Sequence, residues 1–222
     1  MKSSSIAPVL ITLGLAACGG DDGVSQVVDA SRIDAGIDAP VVCTVGPSFA
    51  ALGALTPSEC IQDPRQDAMD PLDDVIVLRA PLQTGSPFDE LQIELWSGYG
   101  ALTGGFATGT YEITGDELQY FTCGVCVFIN ADREGEDYVE DYFATGGSLT
   151  LTSVNGNLTG SIDGITFEHV TIDQDGMSAP AGDGCESVVT SATFTAPITA
   201  PPKAKPRQAT AGRIKGRALH AH

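Results

Sequence analysis

Asn155-Gly156 sits between two runs that alternate apolar and polar residues, Ser148 to Val154 and Asn157 to Ile162. An Asn-Gly pair tolerates the positive φ angles of a type I′ turn, so the stretch closes into a tight β-hairpin. Two-residue closure pairs Val154 with Asn157 and sets the register. Leu149, Leu151 and Ser153 then share one face with Leu158, Gly160 and Ile162, while Thr150, Thr152, Thr159 and Ser161 line the other. One face packs inward and the other meets water, as in a sandwich strand pair.

The same rhythm runs from Asp74 to Ala196, where short runs rich in β-branched and aromatic residues are cut by Gly, Asp and Asn. Ten strands are expected: Val75 to Arg79, Leu91 to Trp96, Thr110 to Ile113, Leu118 to Thr122, Val125 to Ile129, Tyr138 to Ala144, Ser148 to Val154, Asn157 to Ile162, Thr166 to Ile172 and Glu186 to Thr195. No helix of three turns fits between them. The pattern predicts an all-β fold, an antiparallel β-sandwich or alternatively a flattened barrel of about 8–10 strands. Residues 41–74 read as a loop-rich entry, since Pro57, Pro64 and Pro71 leave room for at most a short helix near Phe49 to Leu55.

The chain begins differently. Lys2, the apolar run Ile6 to Leu15 and the small residues Ala16-Ala17 form a secretory signal too short to span a bilayer. Leu15-Ala16-Ala17-Cys18 resembles the lipobox of bacterial lipoproteins: a Leu, two small residues, then Cys. The resemblance covers residues 1 to about 20. It implies removal of residues 1–17 and acylation of Cys18, several acyl chains together holding stably where one holds only marginally. Gly19 follows where an aspartate would favour retention in the inner membrane, so the expected address is the outer membrane, on its periplasmic or surface face. Residues 19–40 repeat Val28-Asp29-Ala30, Ile33-Asp34-Ala35 and Ile37-Asp38-Ala39 without an aromatic residue. Such a segment cannot offset its ordering entropy and reads as a disordered tether, similar to those of lipoproteins from high-GC Gram-negative bacteria. The organisation expected is therefore signal peptide 1–17, lipidated Cys and tether 18–40, β-sandwich 41–198, and a disordered basic tail 199–222.

Charge supports the tail as a separate piece. Residues 19–200 hold all 29 acidic residues against four basic ones, Arg32, Arg65, Arg79 and Arg133, a net of −25. Such a surface repels nucleic acid and anionic lipid and suits cations or a cationic partner. Lys203, Lys205, Arg207, Arg213, Lys215 and Arg217 crowd the last twenty positions.

With Cys18 acylated, five cysteines remain and one must stay unpaired or pair between molecules. Cys43 with Cys60 is the short local bridge, and Cys185 meets Cys123 or Cys126. Cys123-Gly124-Val125-Cys126 has the spacing of a redox motif, but strand-like runs flank it and no helix is present to lower a thiol pKa. A structural bridge or bend is the favoured reading.

Three further groups bear on function. Asn130, Asp132, Glu134, Glu136 and Asp141 overlay loosely on an EF-hand loop, with Gly135 at position 6, and are the candidate calcium ligands. Against this, Glu134 is bulky, position 12 is Asp, and strands flank the loop, so an acidic hairpin is the simpler account. Trp96 falls on the polar face of its strand beside Gln92 and Glu94, with Tyr99 nearby, and could stack on a sugar or a partner unless it tucks under a loop. His169 is the only histidine before residue 200, and no Gly-x-Ser-x-Gly or His-Glu-x-x-His motif accompanies it. The expectation is a membrane-anchored, non-catalytic binding or structural module of the cell envelope, its partner an envelope protein or glycan. The alternatives are a secreted hydrolase of carbohydrate or ester substrates and a calcium-binding surface module. No cofactor other than Ca²⁺ is suggested.

Overall fold

The structure is a computed structural model and describes residues 41–63 and 74–200. The signal, Cys18, the Asp-Ala repeats and the tail from residue 201 lie outside the described residues.

The described chain is all-β: β1 Glu59–Asp63, β2 Val75–Pro81, β3 Phe88–Trp96, β4 Gly109–Glu112, β5 Val125–Arg133, β6 Glu140–Asn155, β7 Asn157–Ile172, β8 Ser178–Pro180 and β9 Glu186–Pro197. The only helical pieces are short 3-10 turns at Gly100–Leu102 and Gly115–Leu118. All nine strands join one antiparallel sheet in the order β1-β2-β3-β5-β6-β7-β8, with β4 added on β6 and β9 on β7. The sheet does not close into a barrel.

Strands β6 and β7, 16 residues each, turn this sheet into two layers. The first half of β6 pairs with β5 and with the end of β7, whereas its second half pairs with β4 and with the start of β7. Between the halves the register slips at Ala144/Gly146 and again at Gly146/Ser148. Gly147, at φ +92°, lies so close to its neighbour that a Cβ would come within 2.4 Å of the Gly164 carbonyl oxygen. Only a glycine lets the two backbones approach this way, and the sheet folds over here. Ile76, Leu78, Leu91, Ile93, Val127 and Ile129 of one half then pack with Leu149, Leu151, Leu158, Ile162 and Phe194 of the other in a single buried cluster.

Four expected runs are thus two continuous strands. Leu118 to Thr122, expected as a strand, is a 3-10 turn followed by irregular backbone, and β1 and β8 were not expected. The stretch near Phe49 to Leu55 is not helical. It runs along the free edge of β9, with Phe49 N donating to Val188 O at 2.7 Å, Leu52 N to Ser191 O at 2.9 Å and Leu55 N to Thr193 O at 2.8 Å. Beyond β9, Thr199 N donates to Cys60 O at 3.0 Å and Gln62 N to Thr199 O at 2.9 Å, covering the outer edge of β1.

The hairpin at Gly156 forms, with Leu149, Leu151, Leu158 and Ile162 in the core. Leu149 pairs with Ile162, Thr150 with Ser161 and Leu151 with Gly160, as the two-residue turn requires. Near the tip the register shifts by one, to Val154 with Leu158, because an irregularity between Leu151 and Ser153 takes up the difference.

A second buried cluster lies on the opposite face of the first layer. Val75, Val77, Trp96, Tyr120, Cys123, Cys126, Phe128, Phe143 and Val170 form it. Tyr120 meets Phe128 edge-on at 5.1 Å between ring centroids, and Phe128 lies 4.9 Å from Phe143. β3 and β5 are in consequence buried on both faces.

Candidate functional site

The expected solvent face of β3 carries the largest group of buried polar side chains. Period-two alternation puts Glu90, Gln92, Glu94 and Trp96 on one side of the strand, and all four are buried. Pairing brings Arg79 of β2 opposite Gln92 and Arg133 of β5 opposite Phe88. Among the described residues these two arginines are the only Lys or Arg side chains, and both turn toward Glu90. Arg133 Nη1 donates to Glu90 Oε1 at 2.6 Å, and Arg79 Nε stands 3.9 Å from the same oxygen. Arg79 also donates to Gln92 Oε1 at 2.9 Å and Glu59 Oε2 at 2.7 Å.

Gln92 carries the chain of bonds onward. Its Nε2 donates to Glu94 Oε1 at 2.5 Å, its Oε1 accepts from Asn130 Nδ2 at 3.1 Å, and Trp96 Nε1 donates to Glu94 Oε2 at 2.9 Å. Burial pushes the Glu90 carboxyl up from its ordinary value, while Arg133 and then Arg79 pull it back. The network spans β1, β2, β3 and β5. Arg79 and Arg133 offset two of its three carboxylates, and both oxygens of the third, Glu94, accept hydrogen bonds, so the network ties the four strands together.

Trp96 therefore does not offer the stacking surface expected of it. It is 2% exposed, its ring lies in the second cluster, and its edge contact is with Tyr99 at 6.3 Å. The reason is the segment 97–124, which crosses this face and is pinned by Glu117. That buried carboxylate accepts the backbone N–H groups of Ala101 and Val125, each at 2.6 Å. Desolvation raises its pKa, and the N–H groups of Ala101, Val125 and Gly124 oppose the rise.

The acidic stretch forms a hairpin. Asn130 is buried in β5 opposite Asp141 of β6, and the turn closes through Glu134 N to Asp137 O at 2.9 Å and Asp137 N to Glu134 O at 3.2 Å. Asp132, at φ +48°, gives its N–H to Asp89 Oδ1 at 3.1 Å. Glu136 points outward and reaches Arg133 at 3.6 Å. The five candidate calcium ligands are strung along two strands and a turn. Among the described residues no group of three or more His, Cys, Asp or Glu side chains converges to hold a metal ion.

The cysteine pairing differs from the expectation. Cys43 is bridged to Cys185, with 5.4 Å between Cα atoms, and Cys123 to Cys126, with 5.5 Å. The expected Cys43–Cys60 bridge does not form, because the segment running along β9 brings Cys43 to the start of that strand. Neither does Cys185 reach Cys123 or Cys126: it belongs to the inter-layer core, while they belong to the cluster on the opposite face. Among the described residues Cys60 is the unpaired cysteine, buried in β1, and desolvation followed by Glu59 pushes its thiol up to about 11. Such a thiol is a poor nucleophile at neutral pH. The Cys123–Cys126 bridge is wholly buried.

His169 makes the one arrangement with catalytic overtones. Its Nδ1 is 2.5 Å from Asp183 Oδ2, and its ring stacks on Tyr142 at 5.3 Å. Asp183 Oδ1 accepts from Cys185 N at 2.9 Å, and His169 N donates to Cys185 O at 2.9 Å. The Cys185 N–H and the His169 contact hold the Asp183 carboxyl below the usual aspartate range. In a nucleophilic triad the other ring nitrogen of such a pair faces a hydroxyl or thiol. Among the described residues no Ser or Thr hydroxyl bonds to either partner, and the contacts of Ala181, Asp183 and Cys185 with His169 and with one another fasten residues 181–185 over the bridge. Ser187 is turned away, donating to Gly46 O at 2.7 Å.

A shallow concavity of about 490 Å³ is lined by Pro47, Thr145, Thr166, Glu186 and Val188 among others. No family model, curated protein or solved structure matches this chain.

Sequence reasoning missed the arginine network and the His169–Asp183 pair. A signal for the first was present: in a chain without lysine between residues 19 and 200, Arg79 inside an apolar strand has to find an acid. The second depended on a loop conformation that local sequence does not encode.

Proposed function

We propose that this chain is a lipid-anchored module of a bacterial envelope, held in the outer membrane through Cys18 and acting by binding or architecture. The observation that carries the reading is Leu15-Ala16-Ala17-Cys18 behind a short apolar segment. Residues 19–40 serve as the spacer between lipid and sandwich. What supports a non-catalytic role is the use already made of the reactive groups. Glu90, Glu94, Arg79 and Arg133 are bonded to one another or to neighbours within the sheet, Cys123 and Cys126 are bridged, and His169 holds a loop. The acidic surface favours a cationic partner, an envelope protein or a cation-bearing glycan.

The test is fractionation of the full chain expressed in a Gram-negative host, next to its Cys18→Ala variant. The full chain is expected in the detergent-soluble outer-membrane fraction and the variant outside it. Equal membrane retention of both would refute an anchor at Cys18.

A further inference from the structure

Asn155-Gly156 joins β6 to β7, and the structure leaves its reactive atoms unengaged. Asn155 is the last residue of β6, and Asn155, Gly156 and Asn157 are all exposed. Gly156 carries a positive φ of +72°, and nothing lies within 4 Å of where its Cβ would stand. Among the described residues neither the Asn155 side chain nor the Gly156 N–H has a hydrogen-bond partner. The carboxamide carbon and the nitrogen that follows it are both free, with no side chain on Gly156 to keep them apart.

The chain's other two asparagines, Asn130 and Asn157, lack this arrangement. Asn130 is buried with its Nδ2 donating to Gln92 Oε1 at 3.1 Å. Asn157 precedes Leu158, which lies inside β7 with its side chain in the core.

We propose that Asn155 is a self-modification site, deamidating through the Gly156 nitrogen, and that the isoaspartyl product releases residues 198–200 from the hairpin. In the first step Gly156 N bonds to Asn155 Cγ and the Cγ–Nδ2 bond breaks. Ammonia leaves, carrying the proton of the Gly156 N–H, and a succinimide remains. Water then opens the ring. Attack at Cγ gives aspartate and restores the main chain. Attack at the main-chain carbonyl carbon of Asn155 gives isoaspartate, whose main chain runs through Cγ and is longer by one carbon.

The consequence follows from what the Gly156 carbonyl holds. It accepts from Ile198 N at 2.9 Å, and the next residue, Thr199, donates to Cys60 O through its N at 3.0 Å and its Oγ1 at 2.9 Å. Residues 198–199 therefore stitch the hairpin tip to the edge of β1. Ile198 packs against the same buried cluster that holds Cys60. An extra main-chain carbon displaces the Gly156 carbonyl and opens this stitch from the tip, uncovering the edge of β1.

The experiment ages the full chain, carrying Cys18→Ala, at mildly alkaline pH. With both bridges closed, Cys60 is then its one thiol. Peptide mass mapping is expected to show the Asn155 peptide gaining the mass of an acid over an amide and splitting into aspartyl and isoaspartyl forms. Asn130 and Asn157 should stay amides over the same period. Maleimide labelling of Cys60, which reads local opening, should rise several-fold as the isoaspartyl form accumulates. Asn155→Gln closes a larger ring slowly and should hold labelling constant. Fresh Asn155→Asp adds the charge without the extra carbon and should label like the parent. An Asn155 that persists as long as Asn130 would overturn the site. Labelling that stays flat while isoaspartate accumulates, or that rises equally in Asn155→Gln, would overturn the release.

Discussion

Glu117 and Gly124 are coupled: the carboxylate takes the N–H groups of Ala101 and Val125, and Gly124 lets Tyr99 O approach to where a Cβ would stand at 2.2 Å. Glu117→Gln removes one acceptor oxygen and points an amide at N–H donors, which should cost about 1–3 kcal/mol in urea unfolding. Gly124→Ala meets backbone on its open side and should cost a similar amount, about 1–3 kcal/mol, through overpacking. At Asp183 the expected signal is a pH dependence. Its folded carboxyl is held below the ordinary value of about 3.9, so its contribution is present above that value and fades as pH falls through the lowered one. Thermal melts between pH 5 and 2.5 should show a shallower acid limb for Asp183→Asn than for the parent. An unchanged limb would mean that neither the Cys185 N–H nor the contact with His169 stabilises the ionised carboxyl on folding. In the network, a double-mutant cycle of Glu90→Gln and Arg133→Met should report strong coupling, since either change alone strands a buried charge at a cost of about 3–5 kcal/mol. None of these contacts is local in sequence: Glu90 and Arg133 stand 43 residues apart. Their residue types were readable, and their meeting required the register of β3 on β5.

At the scale of the elements, glycine is the most informative residue and also the most misleading. Gly146-Gly147 and Asp163-Gly164 read as breaks, so β6 and β7 were each expected as two strands. Both dipeptides lie at the same level of one hairpin, where they bend continuous strands instead of ending them. A sequence window sees the loss of strand propensity and not the partner across the ladder. The hairpin at Gly156 was legible because its turn chemistry is local. Only its tip register was not, since a bulge leaves no mark in composition. Two substitutions separate these cases. Gly156→Ala, at φ +72° with open space for a Cβ, carries only a backbone term of about 1–2 kcal/mol. Gly147→Ala adds a clash with Gly164 and should be clearly more damaging in the same denaturation assay. The acidic hairpin bears on metal binding at this scale. Its side chains diverge along β5 and β6, so Ca²⁺ is expected to shift the melting temperature no more than Mg²⁺ at equal concentration. A Ca²⁺-specific rise would show that the hairpin rearranges around the ion.

For the whole molecule, the two-layer β architecture followed from patterning, whereas the cysteine connectivity depended on topology. The sequence separation of 17 between Cys43 and Cys60 made them look like partners. The run of residues 45–55 along β9 decides otherwise, carrying Cys43 to Cys185 and leaving Cys60 in the core. Closing so long a loop, which contains eight of the nine strands, stabilises by about 5 kcal/mol in the chain-entropy view. The proposed anchor at Cys18 is the statement on which this account rests. Its most direct test is the intact mass of the mature protein extracted from the membrane fraction of a Gram-negative host. The account predicts a chain beginning at Cys18, heavier than residues 18–222 by a diacylglyceryl group and one further acyl chain, with a mass deficit for two disulfides. A mature chain beginning at another residue, or one beginning at Cys18 without acyl mass, would contradict it.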